Sequence, residues 1–517
     1  MDAAMSYSTY LTVTLATLGL YSVAADSEPS EPTAEPTLPE ALRPTQQQID
    51  ALVERFRHST VTPLATAQFE QDLQELMRAL ALATVAWTYN HLEPASVAAL
   101  PPQVACDGDG YRRLAQKTPQ TVDTLFGALR LQRLGYRAAP SVGVPVLFPL
   151  CLELGVTQGT TPALCERIGR YLAETGATQQ TVLKRLRQEH GVRMGVKRLR
   201  AVTAFLAAAL AEHRGPAQAE QVVRWLSAAQ ASRGRHRPVL AAGRDGITLG
   251  LRGQRRSFYE VASAGTLTVY DRRGRRLGTV YLGYVPEPGQ TTMTEQLTAL
   301  LQAVLRRWSG PLPRLCYVTD AGDNETNYYR KTLRRLRHPV TGQRLTWQWV
   351  VDYYHVSERL TTLGEALFGK GQRAWAWTRK MQKLLLEPGG VGRVLHSAAA
   401  LRRQRALRGK RLQNFTRAYR YIQTRRQYLR YAAYRRVGLP IGSGVTEAAC
   451  KTLYTQRLKL SGMRWHKEGA QWILHLRTIW LSGIWSEAFV RMLNAQHRKV
   501  ETRTPDQLRT GPAIQAA

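Results

Sequence analysis

Residues 238–355 switch between two hydrophobic periods, and the order of the switches leaves few folds open. PVLAAGRDGITLGL (238–251) is apolar and β-forming, interrupted at Gly243-Arg244-Asp245-Gly246. FYEVASAGTLTVYD (258–271) and RLGTVYLGYVPE (276–287) read as two more strands, with RRGR as the turn between them. MTEQLTALLQAVLRRW (293–308) then takes a helical period. PRLCYVTD (313–320) is a short buried strand, ETNYYRKTLRRLRH (325–338) a helix, and LTWQWVVDYYH (345–355) a fifth strand. Three hairpin-linked strands followed by two reached through helices predict an α/β fold: a mixed sheet with helices on its faces.

The flanks read differently. Residues 1–45 are taken as a disordered or wrongly extended start. MDAAMSYS lacks the positive charge of a signal peptide, and DSEPSEPTAEPTLPEALRPT (26–45) has linker composition. Residues 46–235 are read as a mostly helical DNA-binding region, giving the sheet an all-helical N-terminal neighbour. Residues 100–150 are mixed, with Gly and Pro breaks. TQQTVLKRLRQEHGVRMGVKRLRAVTAFL (178–206) sets a helix, a turn at Gly191 and a basic second helix carrying Lys197, Arg198 and Arg200. That layout suits a helix-turn-helix over 178–208, with a plain helical hairpin as the alternative. The sheet region is assigned to 238–366 and 441–495, split by a basic helical insertion at 367–440. Residues 496–517 are a tail.

Charge decides the partner. The chain has 72 Lys+Arg against 38 Asp+Glu, a net +34. An Arg-rich excess of this size suits phosphates and base edges, so double-stranded DNA is favoured over a membrane surface. An Arg-rich proteome explains Arg over Lys, and less easily the excess over acids. No apolar run is long enough for a membrane span. The five cysteines form no CxxC pair, which fits a reducing cytoplasm, near the nucleoid.

Residues 388–446 contain no acid, and residues 401–436 carry thirteen Arg and Lys. Arg402, Arg403, Arg405, Lys410, Arg411, Arg425 and Arg426 are DNA-contact candidates there, joined by Lys451, Arg457 and Lys459 downstream. Phe415, Tyr419, Tyr421, Tyr428, Tyr431 and Tyr434 are interleaved, about half of them expected as core packing. Glu447 ends this acid-free run at the start of a predicted helix, with Ser443 as its N-cap. Asp245 on the first strand, Asp320 closing the fourth and Glu447 can converge in one cleft. Three such carboxylates repel each other until divalent metal neutralises them. Singly, each has a plainer reading: Asp245 as a turn acid before Gly246, Asp320 as a loop acid with Asp323 competing, and Glu447 as a helix-dipole partner. Cys450 reads as packing.

The Asp, Asp, Glu pattern resembles the DDE transposases with an RNase H-like core. VVDYYHVSERL, with Asp352-Tyr353-Tyr354-His355, resembles the C/D-x-x-H element of Mutator-like and hAT-like transposases. LPIGSGVTEAACKTLYTQRLKLSGMRW (439–465) is similar to the block around the catalytic Glu in the ISKra group of bacterial insertion-sequence transposases. The likeness covers roughly residues 238–490. It implies an RNase H-like fold and an all-helical insertion before Glu447. It also implies a two-metal Mg²⁺ site, with Mn²⁺ as a substitute, on Asp245, Asp320 and Glu447. Asp352 and His355 would be helpers, with a histidine capping the strand-to-helix turn as the plainer reading of His355. Cutting and joining at paired element ends by a homo-oligomer completes what the likeness implies. The cysteine-paired knuckle common in that group is missing from RLQRLGYRAAPSVGVPVLFP. A domesticated, inactive DNA-binding protein and a nuclease of the same fold are the competing readings.

Overall fold

The computed structural model describes residues 37–138, 145–253 and 256–502. The expectations for residues 1–36 and 503–517 lie outside the described residues. The chain divides into two units, the first ending at Leu76.

The first unit contains the helix Leu38–Arg57 and the opening turns of the helix Pro63–Asn90. The linker reading of residues 38–45 is therefore corrected. Thr37 and Glu40 form a capping box, and a proline in the first turn gives up an N–H that no helix uses there. Glu- and Pro-rich composition is as compatible with a helix N-terminus as with a linker.

In the second unit, strands β1 (Gln103–Cys106), β2 (Asp109–Thr124) and β3 (Gly127–Ala138) form an antiparallel sheet, so the region before residue 238 is not all-helical. Leu129 and Leu131 of β3 are buried while Arg130 and Gln132, which alternate with them, are exposed. This period of two is carried by charged outward residues, which conceal it from a search for apolar runs. The helices Pro162–Ala173, Gln179–His190 and Val196–Ala231 follow. Gly191 ends the second of them at φ 65°, a left-handed cap that glycine adopts without strain. The helix after the turn is 36 residues long and buries Leu199, Val202, Leu206 and Leu210. It is a core strut far longer than a groove-reading helix.

The second sheet uses β4 (Val239–Arg252), β5 (Ser257–Tyr270), β6 (Arg276–Tyr284), β7 (Arg314–Thr319) and β8 (Trp347–Val351), in the order β6-β5-β4-β7-β8. The first three strands are antiparallel, and β4, β7 and β8 are mutually parallel. The fold is mixed α/β, as the sequence indicates. Residues 353–436 are a run of helices from Tyr353–Phe368 through Gly409–Arg425 to Tyr431–Arg436. The chain then returns to the sheet as the short helix Gly444–Cys450. Lys467–Leu481 and Trp485–Gln496 follow, and β9 (Val500–Thr502) pairs with β1, so part of the expected tail is a strand.

Candidate active site

Parallel register builds the site. Gly243 pairs with Val318 and Thr319 with Val351. Two residues beyond the first pair Asp245 is level with Asp320, and one beyond the second Asp320 is level with Asp352. Three aspartates thus form one row, Asp245 midway along β4 and the other two just past the C-terminal ends of β7 and β8, where ligands of such sheets gather. Asp245 lies on a strand, not in a turn.

The helix Gly444–Cys450 docks over this row. A Cβ on Gly243 would lie 2.0 Å from Thr446 Oγ1, so glycine is what lets the helix approach. Thr446 and Thr266 hydroxyls meet at 2.8 Å and fix the seat. This brings Cys450 onto Asp245: the thiol donates to Oδ2 at 3.4 Å. Burial, and then the charge of Asp245, push the thiol upward, so it stays a proton donor. Cys450 therefore belongs to the site and is more than packing. Asp245 also accepts the Gly246 N–H at 2.7 Å. Burial raises the Asp245 carboxyl above its usual range, and the charges of Asp320 and Glu447 raise it further. Asp245 is therefore close enough to Asp320 and Glu447 for the charges of both to act on it.

Ser443 precedes this helix, but its side chain does not cap it. Its hydroxyl contacts Asp352 Oδ2 and, at 2.6 Å, Glu447 Oε1. One proton serves only one of these acceptors at a time. Asp352 is completely buried and accepts N–H groups from Tyr354, His355 and Ser443. The cap of the strand-to-helix turn is thus Asp352, not His355. His355 Nε2 instead stands 3.4 Å from Glu447 Oε1, and Nδ1 3.4 Å from Glu358. Asp352, Ser443, Glu447 and His355 form one connected chain of polar contacts.

Asp320 accepts the Gly322 N–H at 2.9 Å, and Ala321 takes a left-handed φ of 62° to turn the chain. Asp323, its competitor, is exposed at the start of the next helix. A fifth acid, Glu325, does not stand out in the sequence. Glu325 is 6% exposed, and burial followed by repulsion from Asp320 lifts its carboxyl to about 7. Buried Arg244 partly offsets this; its guanidinium donates to Thr294 and Gln290. Glu325 shares the acid-rich stretch TDAGDNE with Asp320, but only folding reveals its burial.

The basic helices brace the same edge. Tyr421 donates to the Asp320 carbonyl at 2.5 Å, Arg425 to the Ala321 carbonyl at 2.9 Å and Tyr431 to the Val351 carbonyl at 2.9 Å. All six aromatics of this segment are buried or packed against the core, more than the half expected. A hollow of about 590 Å³ runs along Gly409–Arg425, lined by Arg417, Arg420, Tyr421 and Arg425. Arg417 and Arg420 were not singled out from the sequence.

The expected DNA contacts divide. Arg402, Arg403, Arg405, Lys410, Arg426, Lys451, Lys459, Lys197 and Arg200 are exposed. Arg457 is buried and donates to the Leu172 carbonyl, so it cannot reach a duplex phosphate. Arg198 is spent on Asp123 at 3.0 Å, and Arg411 on the carbonyls of Ala366 and Leu367. All five cysteines are free and buried. No described helix is long and apolar enough to cross a membrane. No family model matches the chain, and no curated protein matches it.

Proposed function

We propose that the chain is a DDE-type DNA transposase, which binds the ends of a mobile element and cuts and joins DNA there. The observation that carries this reading is the row Asp245–Asp320–Asp352 at one sheet edge, with Glu447 tied to it through Ser443. The order β6-β5-β4-β7-β8 supports an RNase H-like core. The run of helices between β8 and Glu447 supports the all-helical insertion.

The donors suit a hard divalent cation. Asp245, Asp320 and Glu447 offer only oxygen, and Asp245 is raised by burial and then by its neighbours' charge, which a cation would offset. Among the described residues no three His, Cys, Asp or Glu side chains are grouped closely enough to hold an ion as they stand. These three would hold Mg²⁺ or Mn²⁺ once drawn together, and bound metal would activate the attacking oxygen and stabilise the leaving one at phosphorus. Asp352 acts as a positioning residue: it pins Ser443, which orients the Glu447 carboxylate. His355 stands beside Glu447 Oε1 and helps to orient it. Arg417, Arg420 and the exposed cations of residues 402–426 hold the DNA backbone.

Incubating the protein and Mg²⁺ with DNA carrying the segments that flank its own gene tests the reading. Joined strands support a transposase, and cut strands that are never joined support a nuclease. Asp245→Asn or Asp320→Asn abolishes the products in either case, by a factor of about 10² or more.

A further inference from the structure

A second pocket lies well away from this row. β4 continues seven residues past Asp245 to Arg252, about 23 Å at the rise of a strand. There the Arg252 N–H donates to the Trp465 carbonyl at 2.8 Å, and Trp465 Nε1 donates to Leu458 at 3.0 Å, so the indole is fixed. Around it opens a pocket of about 580 Å³, lined also by Trp472, Arg200, Arg464 and Arg457. That size suits a small ligand.

Arg457 is the unusual member. It is 1% exposed, and its Nη1 is buried with no partner. Its Cζ stands 5.4 Å from the Trp465 ring centroid. Arg477, also 1% exposed, adds a second buried cation, bonded to the carbonyls of Ala173 and Thr452. Among the described residues no carboxylate offsets either; burial pulls both guanidiniums down to about 10, and the Arg477 charge adds to the effect at Arg457. Uncompensated buried charge of this kind is costly unless an anion meets it. Two indoles beside it favour a planar aromatic ligand. Thr178, Gln179 and Gln180 give the wall hydrogen-bonding groups for a base edge. One acid, the exposed Glu468, also lines the wall, which suits a ligand with a single anionic end.

We propose that this pocket binds one nucleotide unit, its base against Trp465 and Trp472 and its phosphate toward Arg457 and Arg464. The proposal is independent of strand cleavage and of the metal. The unit is either a free nucleotide or an unpaired residue of a strand. Equilibrium dialysis of the full chain with labelled AMP, ribose 5-phosphate, adenosine or a twelve-residue oligothymidylate separates the sources. Saturable AMP binding, with ribose 5-phosphate and adenosine each weaker by about tenfold, assigns a free-nucleotide site. Saturation by the oligonucleotide alone assigns the strand. In either case Trp472→Leu and Arg464→Ala weaken binding by about tenfold, and Arg457→Met at least as much. Should Arg457→Met fail to fold, the other two variants carry the test. No saturable binding of AMP or oligonucleotide, or binding that all the folded variants leave unchanged, overturns the proposal.

Discussion

Gly243 shows how one residue positions the site. Its missing Cβ is the space in which Thr446 sits, and Thr446 seats the helix that carries Glu447 and Cys450. Gly243→Ala is expected to lower stability by about 1–3 kcal/mol, read from a urea midpoint, because the clash involves packed side chains on a buried strand. Adding Thr446→Ala recovers part of the loss, since the two residues share the contact. Glu325 sets a pH dependence. Its carboxyl is near 7 in the folded chain against an ordinary 4.5, so the native state holds the extra proton between those values. Stability from this group is complete below about 4.5 and is lost as pH rises through about 7, on the order of 3 kcal/mol in all. Glu325→Gln is expected to flatten that slope in urea melts at pH 5 and pH 8. An unchanged slope would mean that Glu325 does not carry the proton. Asp320 and Glu447 were legible because each stands at an element boundary marked by an apolar run or an acid-free stretch, and Asp245 because it interrupts the apolar run of the first strand. Cys450, Ser443 and Glu325 were not, because their roles come from contacts across the fold.

At the scale of elements, strands β4 to β8 could be read from period and turn residues, since apolar runs flanked by Gly and charged turns have one common interpretation. β2 and β3 could not, because their outward faces carry Arg, Lys and Gln, and because β1 is closed by β9 from the far end of the chain. The helix pair at 178–208 was legible as helices and a turn. Its burial was not, and burial gives Arg198 to Asp123 and the long second helix to the core. The basic helices have two faces. Their tyrosines tie the ends of β7 and β8, and their arginines line the hollow beside Asp320. Tyr431→Phe is therefore expected to cost about 1 kcal/mol, the net value of one hydrogen bond, and to lower activity through Val351 and its neighbour Asp352.

Over the whole molecule, the proposed function together with the excess of 34 positive charges predicts a DNA affinity that falls steeply with salt. Replacing Arg417 and Arg420 together by Gln is expected to reduce the slope of log K against log salt by about 2, roughly 0.9 for each lost phosphate contact. An unchanged slope would place the DNA elsewhere. On the proposed function, the same charge distribution accounts for Glu447 following a long stretch without acids: a surface that holds phosphates would exclude carboxylates except where a metal needs one.

The most direct test of the central claim compares wild type with Glu447→Gln in Mg²⁺, on DNA carrying the flanks of the gene, with a gel shift run beside the cleavage gel. The account predicts cut and joined products with wild type, none with the variant, and equal shifts for both. Equal cleavage by both proteins, or equal binding with no cleavage by either, would contradict it.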